Sequence, residues 1–235
     1  MGKVKIWAHR GASGYAPENT LEAFKLAAEQ GADGVELDVQ ICKSGEIVVI
    51  HDETIDRVCR EKGWVKDYTL EELRKYSNDK IPCLNEVYQL LKPTELSINV
   101  ELKTGIIRYP MIEERVLELT ADMGMEERVI YSSFHHPTLA RIKELKPACK
   151  TGLLYADGWI GVQAYANQLG VEALHPALYH LQEPEYMERC KAHNLAVHVW
   201  TVNYKKDMKD LCKVGVDAII TNYPEVAKRI VDSFV

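Results

Sequence analysis

His9 and Arg10 end a short apolar run, Ile6-Trp7-Ala8, and a glycine-bearing turn from Gly11 to Gly14 follows at once. A buried strand that ends on an imidazole and a guanidinium leaves two polar groups at a core edge, which costs free energy unless an anion meets them there. Further on, Glu36 and Asp38 alternate with Val35, Leu37 and Val39, so both carboxylates project from one face of a strand. Asn99, Glu101 and Lys103 share a face of the run Leu96–Leu102 in the same way, and His51 closes a third apolar run, Ile47–Ile50. Three carboxylates brought together raise one another's pKa unless a cation lies between them. With oxygen donors and no cysteine at hand, Glu36, Asp38 and Glu101 select one hard divalent cation, Mg2+ or Ca2+, over zinc. An imidazole of ordinary pKa near 6.5 suits either half of acid–base catalysis, so His9 and His51 flanking the ion supply a base and an acid. Arg10 and Lys103 then hold charge on phosphoryl oxygens. Hydrolysis of a phosphodiester uses all of these groups; the bland reading of the acids, as salt-bridged rim residues, leaves their shared faces unexplained.

The elements that position these groups are a strand at Val4–Ala8 and a helix capped by Asn19 or Thr20. Glu22 is a capping-box partner for Asn19, Leu21, Phe24 and Ala28 face inward, and Gly31 stops the helix. The turn Lys43-Ser44-Gly45 folds Ile47–Ile50 back on Gly34–Ile41 as a hairpin, setting His51 opposite Leu37. Residues 52–80 are charged and irregular, with one helical patch at Leu70–Tyr76, and read as an insertion that walls or covers the site. After Pro82 and a helix at Leu84–Leu91, strands and helices alternate to the C-terminus: the strands fall at Leu96–Leu102, Val129–Ser132, Thr151–Tyr155, Val171–Leu174, Ala196–Trp200 and Ala218–Thr221. Such alternation implies parallel β/α units, in a doubly wound sheet or a closed barrel. With Ile47–Ile50 as an antiparallel extra, eight strands remain, the number of a TIM-like (β/α)8 barrel. Polar groups end the first three ring strands, and Phe134, Tyr155, His175 and Trp200 follow later ones, which favours the barrel. The first loop lacks the third glycine of a dinucleotide fingerprint.

At 235 residues and 46% hydrophobic content, the chain is expected to form a single barrel domain, 1–235, with 52–80 inserted in it. A net charge of -6 without a basic block argues against nucleic acid and for a small-molecule partner. The six cysteines are scattered without a Cys-x-x-Cys pair and read as reduced, mostly buried thiols. The opening residues lack a signal-like apolar stretch, and no run is long enough to span a bilayer, so the expectation is a cytoplasmic protein without stable membrane insertion. Neither a basic amphipathic helix nor an exposed aromatic cluster is evident, which favours soluble substrates. Oligomeric state is left open.

The ordered set His9-Arg-Gly11, Pro17-Glu-Asn-Thr20, Glu36-Leu-Asp38, Val48-Val-Ile-His-Asp52 and Val100-Glu-Leu-Lys103 resembles the glycerophosphodiester phosphodiesterase family. The likeness extends to Tyr131–Phe134, Leu174–Pro176 and Val197–Asn203, and so covers nearly the whole chain. It implies a TIM-like barrel with a small inserted subdomain, a divalent metal on Glu36, Asp38 and Glu101, and His9 and His51 as the acid–base pair. It also implies that Arg10 and Lys103 bind phosphate and that Trp200 packs against glycerol, although a tryptophan at a strand end is as often a lid on the core. The expected reaction converts glycerophosphocholine, glycerophosphoethanolamine or a similar diester into glycerol 3-phosphate and an alcohol. The alternatives are a related barrel phospholipase acting on a lysophospholipid or phosphoinositide, and a non-catalytic phosphate-sugar binding module. His198 is expected one layer below Trp200, His175 and His180 to be structural, and His135, His136 and His193 to lie on loop or helix surfaces; Glu18 orients the site while Asn19 caps the helix. Ala177 departs from the family pattern, in which a polar residue often follows His-Pro.

Overall fold

Strands buried on both faces must be covered on both, and here the covering is achieved by closing the sheet on itself. The computed structural model describes residues 3–234. The strands are β1 (Lys5–His9), β2 (Gly34–Ile41), β3 (Ile47–Val49), β4 (Ser97–Leu102), β5 (Val129–Ser133), β6 (Lys150–Tyr155), β7 (Ala173–Pro176), β8 (Ala196–Val199) and β9 (Ala218–Thr221). The helices are α1 (Leu21–Glu29), α2 (Leu70–Ser77), α3 (Leu84–Leu91), α4 (Ile112–Asp122), α5 (His136–Leu145), α6 (Val162–Leu169), α7 (Tyr186–Ala192), α8 (Lys205–Val214) and α9 (Pro224–Asp232). All the strands but β3 form a closed parallel ring in which β1 pairs with both β2 and β9. β3 lies outside the ring, antiparallel on β2 with Val39 opposite Val49. That register continues to His51 across from Leu37, as the hairpin reading expects, and Ile50 N–H donates to Asp38 O at 3.0 Å.

The outward side chains of the ring pack under the amphipathic helices, with Val35, Leu37 and Val39 among Phe24, Leu84 and Leu91 on one side. The inward side chains form a smaller layer of Trp7, Ile130, Ala173, Ala218 and Ile220. Two histidines share this interior: His198 Nδ1 lies 2.9 Å from His175 Nε2, and Trp7 packs on His198 at 4.5 Å. Gly152 makes room for them, since a Cβ there would stand 2.2 Å from the His175 ring. Both histidines are buried, and desolvation lowers both pKa values, so they fill the barrel as neutral rings below the mouth.

Several element ends differ from the sequence expectation. Thr20 alone caps α1, accepting from Ala23 N–H at 3.2 Å, while Asn19 sits in a left-handed turn with its side chain aimed at the barrel. Ala23, Phe24 and Ala27 form the buried face of α1, and Leu21 is exposed, because the helix starts at Leu21 and its first side chain precedes the contact with the ring. β7 begins two residues later than expected, because Gly170 ends α6 in a left-handed cap and Val171 N–H still bonds back to Ala166 O. The inserted segment is less irregular than its charge implies. Ile55, Val65 and Leu73 build an apolar cluster with Val48 and Ile50, and Thr69 and Glu72 form a reciprocal cap on α2. All six cysteines are free thiols.

Candidate active site

The C-terminal ends of the ring strands converge on one mouth, where a cavity of 170 Å³ is lined by His9, Glu36, His51, Glu101, Phe134 and Trp200 among others. Register explains the convergence: His9 is level with Glu36 and Glu36 with Asn99, while one layer above Asp38 is level with Glu101. The alternation that buries Val35 and Leu37 outward therefore turns Glu36 and Asp38 inward, as the sequence requires. One oxygen from each of Glu36, Asp38 and Glu101 lies within 4.8 Å of the others.

These carboxylates are almost wholly buried. Burial, then the charges of Asp38 and Glu101, push the Glu36 pKa well above the ordinary range. Burial likewise raises Glu101 to about 7 against the pull of Lys103, whose Nζ donates to Glu101 Oε1 at 3.0 Å. Asp38 behaves differently: burial opposes its charge, but Lys103 and Arg10 outweigh burial and hold it below the usual carboxylate range. Asn19 Nδ2 donates to Asp38 Oδ2 at 2.9 Å, Arg10 Nε stands 3.4 Å from the same oxygen, and Asp38 Oδ1 has no hydrogen-bond partner. A buried oxygen left unpaired within an all-oxygen trio fits a hard divalent cation.

Arg10 is placed by its backbone. It takes a left-handed conformation (φ 53), its N–H donates to Glu36 Oε2 at 2.9 Å, and its Nη1 donates to Glu18 Oε1 at 3.0 Å. Gly11 completes the bend at φ +78, where a Cβ would lie 2.7 Å from the backbone of Ala23. The turn glycine thus seats the loop against α1, and the strain at Arg10 is kept where it aims a cation.

Each histidine has a partner that sequence reading left without a role. His9 Nδ1 lies 2.7 Å from Asn222 Oδ1, on the loop after β9, so Nδ1 carries the proton and Nε2 keeps its lone pair. Burial, with the Arg10 charge next, lowers the His9 pKa to about 4. His51 Nδ1 instead lies 2.6 Å from Asp52 Oδ1, a carboxylate. Asn222 was findable, because it follows the last ring strand at the end where barrel sites assemble. Trp200 lines the cavity, donates Nε1–H to His175 O at 2.7 Å and meets Phe134 edge to face at 5.4 Å. Among the other histidines, His136 is tied to the barrel through Leu154 O at 2.8 Å and stacks on Trp159, so it is more than a surface residue. The loops around the mouth also expose Ile106, Trp159, Ile160, Tyr179 and Tyr204. The aromatic residues among them sit on separate loops, so they form no cluster along the sequence.

A closed β/α barrel with carboxylates, histidines and cations around one mouth defines a hydrolase of phosphate esters. The glycerophosphoryl diester phosphodiesterase family model matches residues 9–226. A glycerophosphodiester phosphodiesterase of Caldanaerobacter subterraneus is 43% identical over 97% of this chain and 98% of its own. The crystal structure of the glycerophosphodiester phosphodiesterase of Thermotoga maritima superposes with a TM-score of 0.86 at 28% identity, covering 98% of this chain and 99% of that one. A phosphodiesterase of Oleispira antarctica, solved in complex with the product sn-glycerol-3-phosphate, gives 0.84 at 25% identity, with 97% and 96% covered. The chain belongs to the glycerophosphoryl diester phosphodiesterase family and is an enzyme of glycerophosphodiester hydrolysis. None of its helices, among the described residues, is long and apolar enough to cross a membrane.

Proposed function

We propose that the enzyme cleaves glycerophosphocholine, glycerophosphoethanolamine and similar diesters to glycerol 3-phosphate and an alcohol, using one divalent cation and two histidines with opposite roles. The observation that carries this reading is the unlike pair of histidine partners across one carboxylate trio. His9, neutral and held by an amide, accepts the proton of the attacking oxygen at Nε2; His51, backed by the Asp52 carboxylate that stabilises an imidazolium, protonates the leaving alkoxide. Arg10 and Lys103 bind the phosphoryl oxygens, and Trp200 with Phe134 forms the apolar wall for the glycerol carbons. Glu36, Asp38 and Glu101 hold Mg2+ or Ca2+, which when bound neutralises charge on the phosphoryl group. The product named in the Oleispira complex supports this assignment.

The test is a phosphorus NMR product assay over several glycerophosphodiesters. Release of glycerol 3-phosphate is expected, and release of a different phosphate product, or none, overturns the assignment. The exposed Trp159, Ile160, Tyr179 and Tyr204 favour a second reading, in which acylated glycerophosphodiesters at a lipid surface are also accepted. Lysophosphatidylcholine in the same assay decides it.

The raised pKa values also give the cation a pH signature. Below pH 7 Glu101 holds a proton in the folded, cation-free protein that a bound cation must displace, so cation affinity falls as pH drops. The rise in Tm on adding Mg2+ or Ca2+ is therefore expected to be several degrees at pH 8 and to shrink toward pH 6. His9 and His198, kept neutral by burial, titrate in the opposite sense, so the difference between loaded and cation-free melts is the quantity to read. A Tm rise independent of pH sinks the carboxylate assignment.

A further inference from the structure

Arg57 lies on the inserted segment, outside the mouth cavity, yet it reaches the carboxylate beside His51 and the one beside Arg10. Its Nε donates to Asp52 Oδ2 at 2.7 Å and its Nη2 to Asp52 Oδ1 at 3.0 Å. On its other edge Nη1 donates to Glu18 Oε2 at 2.8 Å and Nη2 to Glu18 Oε1 at 2.7 Å. One planar guanidinium thus grips two carboxylates, each through two oxygens, a geometry that the single ammonium of a lysine cannot reproduce. Beyond those carboxylates stand His51 Nδ1, 2.6 Å from Asp52, and Arg10 Nη1, 3.0 Å from Glu18. The series His51, Asp52, Arg57, Glu18, Arg10 therefore joins the hairpin side of the mouth to the first βα loop.

The Arg57 side chain is 47% exposed, and ion pairs at such positions add little to stability. Two bidentate contacts at one exposed site do more for orientation than for stability. Asp52 is only partly buried, and the oxygen that faces His51 also accepts from Arg57 Nη2, which Glu18 anchors in turn.

We infer that Arg57 is a positioning residue of the reaction: it holds Asp52 against His51 and so keeps His51 aimed at the leaving-group oxygen. This rests on the reading of His51 as the general acid, and the experiment separates the two. Turnover of Arg57→Gln, Asp52→Asn, the double variant and His51→Ala is measured with glycerophosphocholine, whose alkoxide must be protonated to leave, and with glycerol 4-nitrophenyl phosphate, whose phenolate leaves without a proton. Arg57→Gln is expected to lose on the order of 10- to 100-fold in kcat with the choline ester, the scale of a lost orienting partner, and little with the nitrophenyl ester. Its Tm should stay close to that of the parent. His51→Ala should show the same leaving-group preference more strongly, and the double variant should lose no more than Asp52→Asn alone. Arg57→Lys is expected to recover little.

Equal losses of Arg57→Gln on both esters, no loss on either, or additive losses in the double variant overturn the role of Arg57 while leaving His51 as the acid. Should His51→Ala itself fail to discriminate between the esters, the acid assignment falls and the positioning role falls with it.

Discussion

Exhaustive dialysis against EDTA is expected to abolish glycerol 3-phosphate release, and Mg2+ or Ca2+ to restore it. The expectation follows from the charge balance of the trio: burial drives Glu36 and Glu101 toward their neutral forms, while Asp38 stays ionised with one oxygen unpaired. Lys103, at 3.9 Å from that oxygen, is too distant for a hydrogen bond. Asp38→Asn preserves the shape of the side chain and can still accept from Asn19, so the fold should survive. It removes the most acidic donor, and kcat is expected to fall on the order of 10³-fold, with a weaker Tm response to added cation. Full turnover after complete chelation, or an Asp38→Asn enzyme of near-parent activity, removes the cation from the mechanism.

The second large effect is expected at the histidines. His9→Ala and His51→Ala should each lower kcat by on the order of 10²–10⁴, the range of lost acid–base catalysis, with smaller changes in KM. The two losses should differ in kind. The His9 loss should be the same for alkyl and nitrophenyl esters, because the attacking oxygen is common to both. A His9→Ala enzyme whose deficit disappears on the nitrophenyl ester reverses the assignment of base and acid, and near-parent turnover in either variant excludes that residue. Replacing Asn222 by Asp would place a carboxylate behind His9 as well, erasing the distinction between the two imidazoles.

The barrel was legible wherever burial imposes a period. The alternation of Val35, Leu37 and Val39 with Glu36 and Asp38 carries the strand and the site together, and the turn at Ser44 carries the register of His51. Asn19 was misread because asparagine before a helix satisfies the local rule for a cap, whereas Asp38, distant in sequence, recruits it into the mouth. Asp52 ended a recognised motif without a role of its own, and Asn222 follows the last strand with no motif around it, so its place behind His9 exists only once β9 pairs with β1. Arg57 carried no signal, since its partners come from two loops and an arginine in a charged stretch reads as solvated surface. The apolar cluster under the inserted segment was hidden for a similar reason: Ile55, Val65 and Leu73 are too far apart for any periodicity.

β3 hangs on β2 outside the closed ring, and it delivers His51 from beyond the barrel wall while His9 belongs to the wall itself. The hydrogen-bonded circuit of the ring is complete without the hairpin and the stretch that follows Asp52. Changes beyond Arg57 in that stretch leave untouched the strands that carry His9, Glu36 and Glu101. The architecture thus divides the chain by tolerance: the ring cannot change without moving Glu36, Asp38 and Glu101, whereas residues 58–80 can vary in length so long as Arg57 keeps its grip on Asp52 and Glu18.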